Sequence, residues 1–292
     1  EITYDKLKES IESTKKRTNV SYLKNYPRIT DKLIESSKKN NWKIEEIPRW
    51  FSENEDKFEK KSMTKTYLKE YLDKNGKVSL KTTVTKIKKN KDLWQVEMLK
   101  NKKKIKVSSK NIFLCCGSID NLNILKKNNL IKSGGSITFH PMIKIIVKFP
   151  FKVNKNNMEI LTHQLTHFYP EFLIGSAASS LPYLKIAAQH DDELYKEVKK
   201  NWEYMLVFHS TYSIGKGSVL KFPFINEPIV NYEISNNETN TVKKGLEVLC
   251  KLMIDAGCDY IYPIAKESSK IDKSNYINFI SKIKKITDLN YS

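Results

Sequence analysis

Two hydrophobic rhythms alternate along the chain, one near 3.6 residues and one near 2, and the places where they change divide it. Residues 62–73, SMTKTYLKEYLD, put Met63, Tyr67, Leu68 and Tyr71 on one face of a helix, and Asn75-Gly76 stops it. Alternation follows, with Val78, Leu80, Thr82, Val84 and Ile87 in KVSLKTTVTKIKKN, then DLWQVEML and KKIKVSSKNIFLCC. This pattern predicts a three-stranded meander that feeds a buried strand.

The pattern centres on residues 110–130, KNIFLCCGSIDNLNILKKNNL. An apolar run at 112–116 meets Gly117-Ser118, and Ile119, Leu122, Ile124 and Leu125 then recur with helical spacing. A strand, a glycine turn and a helix start are expected. Unpaired N–H groups at a helix N-terminus, with the helix dipole behind them, attract a phosphate or another anion. Two small residues let a ligand approach the backbone. Most such junctions bind nothing, so the flanking sequence has to decide.

Residues 1–61 are highly charged and mostly helical in pattern, with Trp42, Trp50 and Phe51 as apolar anchors. Residues 138–153, TFHPMIKIIVKFPFKV, form an extended run that Pro141 and Pro150 assign to an edge or bent strand. Aromatic and β-branched residues crowd 158–228, and Gly215 and Gly217 flank an expected hairpin-like turn. A helix is predicted over 238–256, with Leu246, Leu249, Leu252 and Met253 on one face and Gly257 as its C-cap. The tail, 266–292, is polar with weak helical periodicity. No repeat of 20–50 residues is present.

At 292 residues the chain has room for one large domain or two. Its formal net charge of +19 raises a basic binding module for nucleic acid or an anionic surface as an alternative. Only Arg17, Arg28 and Arg49 among the 52 basic residues are arginine, the side chain suited to bidentate phosphate and guanine contacts. No nucleic-acid partner is therefore expected. The Lys, Asn and Ile excess looks like codon bias in an AT-rich genome. Four cysteines without CxxC spacing argue against structural zinc, and Cys115 and Cys116 read as buried free thiols. No run of about 18 apolar residues occurs, so no membrane span is expected.

Candidate catalytic groups are sparse. His163 and His167 have the i, i+4 spacing of a helical metal pair, but no carboxylate lies between them and Pro170 favours strand or loop. His140-Pro141 reads as a half-buried structural histidine, and His209, in YMLVFHSTYS, as a satisfied strand position. Asp191, Asp192 and Glu193 read as a solvated helix N-terminus. No GxSxG, Walker or GxGxxG pattern is present.

The order SMTKTYL, NGKVSLKTTVTKI, KNIFLCCGSIDNLNIL, FHP and PIVNYEISNNETNTVKKGLEVLCKLMIDAGCDYIYP resembles the middle and later part of a glucose-methanol-choline (GMC) flavoprotein oxidoreductase, over residues 40–265. The resemblance implies an α/β (α+β) fold: part of a Rossmann-like FAD-binding domain over 1–137, an antiparallel-sheet substrate domain with packed helices over 138–265, and a tail over 266–292. It implies that Val84 contacts the adenine of FAD through its backbone, and that Cys116, Gly117 and Ser118 line the cofactor. The family commonly places Ser or Thr and then Pro where this chain has Asn121 and Leu122, which implies a looser helix start.

The implied reaction of the complete enzyme is proton removal from a small-molecule alcohol by a histidine base, with hydride transfer to flavin. The family's GxGxxG and its catalytic histidine motif have no counterpart here. The expectation is a segment that is inactive alone, with no catalytic residue assigned and no metal. A nicotinamide-dependent dehydrogenase fragment, which would need its own GxGxxG, is the remaining alternative.

Overall fold

The computed structural model describes residues 3–22, 27–54, 57–131, 135–154, 161–220, 227–265 and 270–289. They form two compact units. One takes in Glu1–Thr66, His140–Ile214 and Ser235–Ser292, and the other Tyr67–Phe139 and Gly215–Ile234. In chain order the elements begin with α1 (Tyr4–Thr18), β1 (Val20–Ser21), α2 (Ile29–Lys39), β2 (Ile44–Glu46), β3 (Arg49–Asn54) and β4 (Lys57–Lys60). Next come α3 (Tyr67–Asp73), β5 (Thr82–Asn90), β6 (Leu93–Lys100), β7 (Lys103–Ser109), α4 (Ser118–Lys127) and β8 (Ser136–Phe139). They are followed by β9 (Met142–Lys148), β10 (His163–Leu165), β11 (Phe172–Ser176), α5 (Leu181–Ala187), α6 (Asp192–Asn201) and β12 (Met205–Tyr212). The last are β13 (Ile214–Leu220), β14 (Ile229–Glu233), α7 (Asn236–Asp255), β15 (Tyr260–Pro263) and α8 (Tyr276–Lys282).

A six-stranded sheet in the order β15-β9-β12-β11-β10-β2 organises the first unit, with antiparallel neighbours throughout. Alternate residues of its strands bury Ile143, Ile145, Val147, Leu206, Phe208, Phe172 and Ile174. Helix α7 packs on the sheet through Val242, Leu246, Leu249 and Met253, the periodic apolar stripe its sequence displays. The buried Tyr212 hydroxyl donates to the Val242 carbonyl at 3.1 Å. A Cβ at Gly245 would collide with that same hydroxyl, so glycine is what admits the ring. Ser235 and Glu238 form a reciprocal capping box at the start of α7, and Gly257 follows its end at φ 85°. Across the other side of the sheet, Leu184, Ala188, Leu194 and Val198 of the α5–α6 region pack on Ile146, Met205 and Val207.

Strand β9 corrects the edge-strand expectation. It pairs with β12 on one side and β15 on the other, and Pro141 and Pro150 lie outside it. Proline therefore bounds this central strand without removing a ladder donor. Residues 1–61 also hold more strand than their charge pattern suggests. Two helices occur, but β1, β3 and β4 form a small sheet of their own and β2 joins the large one.

The second unit contains the expected meander, β5-β6-β7, antiparallel with Val96 opposite both Ile87 and Val107. A register shift between Val84 and Lys86 bulges β5. A second sheet, β14-β13-β8, and α4 enclose a small core of Leu122, Ile137 and Val219. Gly215 and Gly217 lie inside β13 and not around a turn. Gly215, at φ 77°, leaves space for the Tyr232 ring. Helix α3 is shorter than its sequence pattern, and Met63, Leu68 and Tyr71 remain exposed.

Candidate functional site

The turn before α4 is open and held by one side chain. Residues 112–116 join no sheet, Phe113 is 87% exposed, and Cys115 and Cys116 are exposed free thiols. The expected buried strand is thus absent from the described sheets, because no neighbouring strand takes up its backbone groups. Gly117, at φ 91°, reverses the chain into α4, and nothing lies within 4 Å of where a Cβ would project. Backbone conformation and not crowding calls for glycine here. Asn121 supplies the tie: its Oδ1 accepts from the Cys116 N–H at 3.0 Å and its Nδ2 donates to the Leu114 carbonyl at 3.0 Å. The helix start receives no side-chain cap, and Gly117, Ser118 and Ile119 are all exposed. Val84 belongs to the same unit, 37% exposed, at the bulge of β5.

In the first unit, the polar feature of the large sheet is a row of cross-strand neighbours. His209 of β12 lies opposite Lys144 of β9 on one side and Gly175 of β11 on the other. Facing pairs share one side of a sheet, so these residues point the same way. Gly175 leaves a gap beside the imidazole, since a Cβ there would come within 3.3 Å of His209 Nε2. His209 Nδ1 is buried without a hydrogen-bond partner. Burial, with the positive charges of Lys144, Arg49 and His140 around it, pushes the His209 pKa down to about 4. The ring is neutral at physiological pH. Lys144 and Val207 also line a cleft of about 370 Å³ between the sheet and α5, with Met142, Ile186 and Ile264 among its apolar walls.

Residues 2–141, which include the meander and the turn before α4, match the GMC oxidoreductase family. That stretch is just under half of the chain. The chain is also 24% identical over 212 residues to a protein of Sinorhizobium fredii described as an uncharacterized GMC-type oxidoreductase. That alignment covers 70% of this chain and 42% of the relative, so the chain spans under half of the relative's length. The matched part is the FAD-binding domain of GMC oxidoreductases, a family of flavin-dependent enzymes. The geometry of the turn fits such a cofactor. An uncapped, exposed helix start with a glycine at positive φ presents backbone donors to an anionic group. The Cys116 N–H is already engaged by Asn121, which leaves the donors at the start of α4 as the free ones.

His163 and His167 do not assemble a site. His163 lies in β10, with its Nδ1 3.0 Å from the Thr162 hydroxyl, while His167 stacks edge-on against Phe168. Burial lowers the His163 pKa, opposed by the charges of Glu46 and Asp31. Asp191 caps α6 by accepting from the Leu194 N–H at 2.9 Å, so the acidic triplet is a helix start. Among the described residues no group of three or more His, Cys, Asp or Glu side chains could hold a metal. No helix of the described residues is long and apolar enough to cross a membrane. Two structural features escaped the sequence reading. Asn121 was visible only as a departure from the family pattern, and the Lys144–His209 pairing joins residues 65 positions apart whose register nothing local announces.

Proposed function

We propose that this chain is a segment of an FAD-dependent alcohol oxidoreductase, with residues 1–137 contributing to the cofactor domain and residues 138–265 to the substrate domain. The open, uncapped start of α4 inside the family-matched stretch carries the proposal. The backbone of Val84 would hold the adenine side, and Cys116, Gly117 and Ser118 would line the cofactor. Bound FAD would accept the hydride of an alcohol CH–OH group. The Ser118 and Ile119 backbone donors would place and partly neutralise its charge, and Asn121 would keep that backbone in position. The face of the six-stranded sheet that carries Lys144 and His209 would meet the alcohol substrate.

The sequence contains no GxGxxG, so the 292 residues alone are expected to hold FAD weakly and to show no turnover. The protein purified from its own gene, at whatever length that gene encodes, should show flavin absorption bands or acquire them on adding FAD. No bands and no rescue by added FAD would overturn the proposal. Tight stoichiometric FAD on the 292-residue chain would show instead that the contacts described here suffice.

A further inference from the structure

The cleft between the large sheet and α5 has a composition that selects a ligand. Its walls are largely apolar, with Met142, Val207, Ile186 and Ile264 among them, and its lining contains one ammonium, from Lys144, and no carboxylate. Lys144 is half-buried, and among the described residues no acidic side chain lies within ion-pair distance of it. Lys148, four residues on along the same face, has one in Glu197 at 2.8 Å. Lys144 instead lies beside a neutral imidazole, with the Arg49 guanidinium adding positive charge to the same region. A cation with its partner missing, at the floor of an apolar cleft, fits an anion attached to an apolar body.

We propose that this cleft binds an aliphatic carboxylate, with the carboxylate on the Lys144 ammonium and the hydrocarbon along Met142, Val207 and Ile186. Read with the oxidoreductase assignment, on which this step rests, the substrate class is an aliphatic alcohol that also carries a carboxylate. The neutral His209 beside Lys144 adds no charge to that of the ammonium. The side of the His209 ring toward Gly175 stays uncrowded because that residue has no side chain. The volume, about 370 Å³, suits a chain of medium length rather than a large sugar.

Calorimetric titration of the 292-residue chain with octanoate, 1-octanol and octylammonium at low ionic strength tests the proposal without any flavin. Octanoate should bind at least tenfold more tightly than 1-octanol, and octylammonium should not bind. Lys144→Met should weaken octanoate at least tenfold and leave 1-octanol unchanged, while Lys144→Arg keeps the preference. Lys216→Met removes one exposed charge from the other unit and should change neither ligand. Equal affinity for octanoate and octanol overturns the proposal. So does an unchanged octanoate affinity in Lys144→Met, or an equal loss in Lys216→Met. The Lys144→Arg variant preserves the test if the methionine variant fails to fold. Preference for octanoate in this chain, with no flavin bands and no rescue by added FAD in the protein purified from its own gene, would refute the oxidoreductase assignment alone. A flavoprotein indifferent to the carboxylate would refute only this inference.

Discussion

His209 shows how a single residue can be placed correctly and still be misread. Its apolar neighbours put it in a strand, as observed, and suggested a satisfied core histidine. Its Nδ1 has no partner, and its nearest charges are cationic. The consequence for stability has a definite sign. The folded-state pKa, about 4, lies below the ordinary 6.5, so at intermediate pH the unfolded chain takes up a proton that the folded chain refuses. Stability is therefore full above about 6.5 and is lost as the pH falls toward 4. The loss across that window is expected to be roughly 3 kcal/mol at most. Urea unfolding of wild type and His209→Gln at a series of pH values checks this: the variant should lose less stability on acidification. Equal slopes would mean that the ring protonates freely in the fold. The cysteines give a second lesson at this scale. Cys250 is buried and its thiol is pushed up by desolvation, whereas Cys115 and Cys116, expected to be buried, are exposed.

At the scale of elements, local signals were the legible ones. The leucine stripe of α7, the Asn75-Gly76 stop and the three meander strands each follow from a few adjacent residues, and each is observed. The extended run 112–116 was misread because an apolar pentapeptide specifies neither which strand will pair with it nor what will cover it. The same holds for β9, whose prolines suggested an edge although its two neighbours come from residues 205–212 and 260–263. One pairing of elements invites a direct measurement. Asp255, at the end of α7, receives Lys39 at 2.8 Å, Asn40 at 2.9 Å and Lys251 at 2.9 Å. Burial pushes its carboxyl up, but these hydrogen bonds outweigh it and hold the group well below the ordinary carboxylate range. The charge thus fastens α2 to α7, with Ser36 adding a bond to the Leu252 carbonyl at 2.9 Å. A depressed folded-state pKa gives stability that is present above the ordinary carboxylate pKa and lost as the pH falls below it. Asp255→Asn should cost about 1 kcal/mol near neutral pH. Relative to wild type it should also flatten the fall in stability below about pH 4. Urea midpoints that shift in parallel for both proteins at all pH values would show that the charge contributes nothing.

Across the whole molecule, interleaving explains what periodicity could not reveal. The smaller unit is assembled from Tyr67–Phe139 and Gly215–Ile234, and the sheet β14-β13-β8 joins the two stretches. No local pattern announces that residues 136–139 and 215–220 belong together. The two units also differ in how much they bury. Among the described residues of the smaller unit the buried apolar side chains are Ile87, Val96, Leu122, Ile137 and Val219, and the meander exposes Val84, Leu99, Ile105 and Val107. The larger unit buries the sheet core, the α7 stripe and the α5–α6 cluster. Apolar burial is the main favourable term opposing chain entropy, so the smaller unit should open at lower free energy than the larger. Hydrogen exchange followed by mass spectrometry at increasing urea should show peptides from 82–109 and 215–220 exchanging through an earlier transition than peptides from 142–148 and 205–212. A single shared transition would show that the units unfold as one cooperative body. If FAD binds mainly through Val84 and the start of α4, saturating FAD should raise the earlier transition and leave the later one unmoved, because a ligand stabilises only the state that holds it. A selective rise of the later transition would place the cofactor contacts in the other unit.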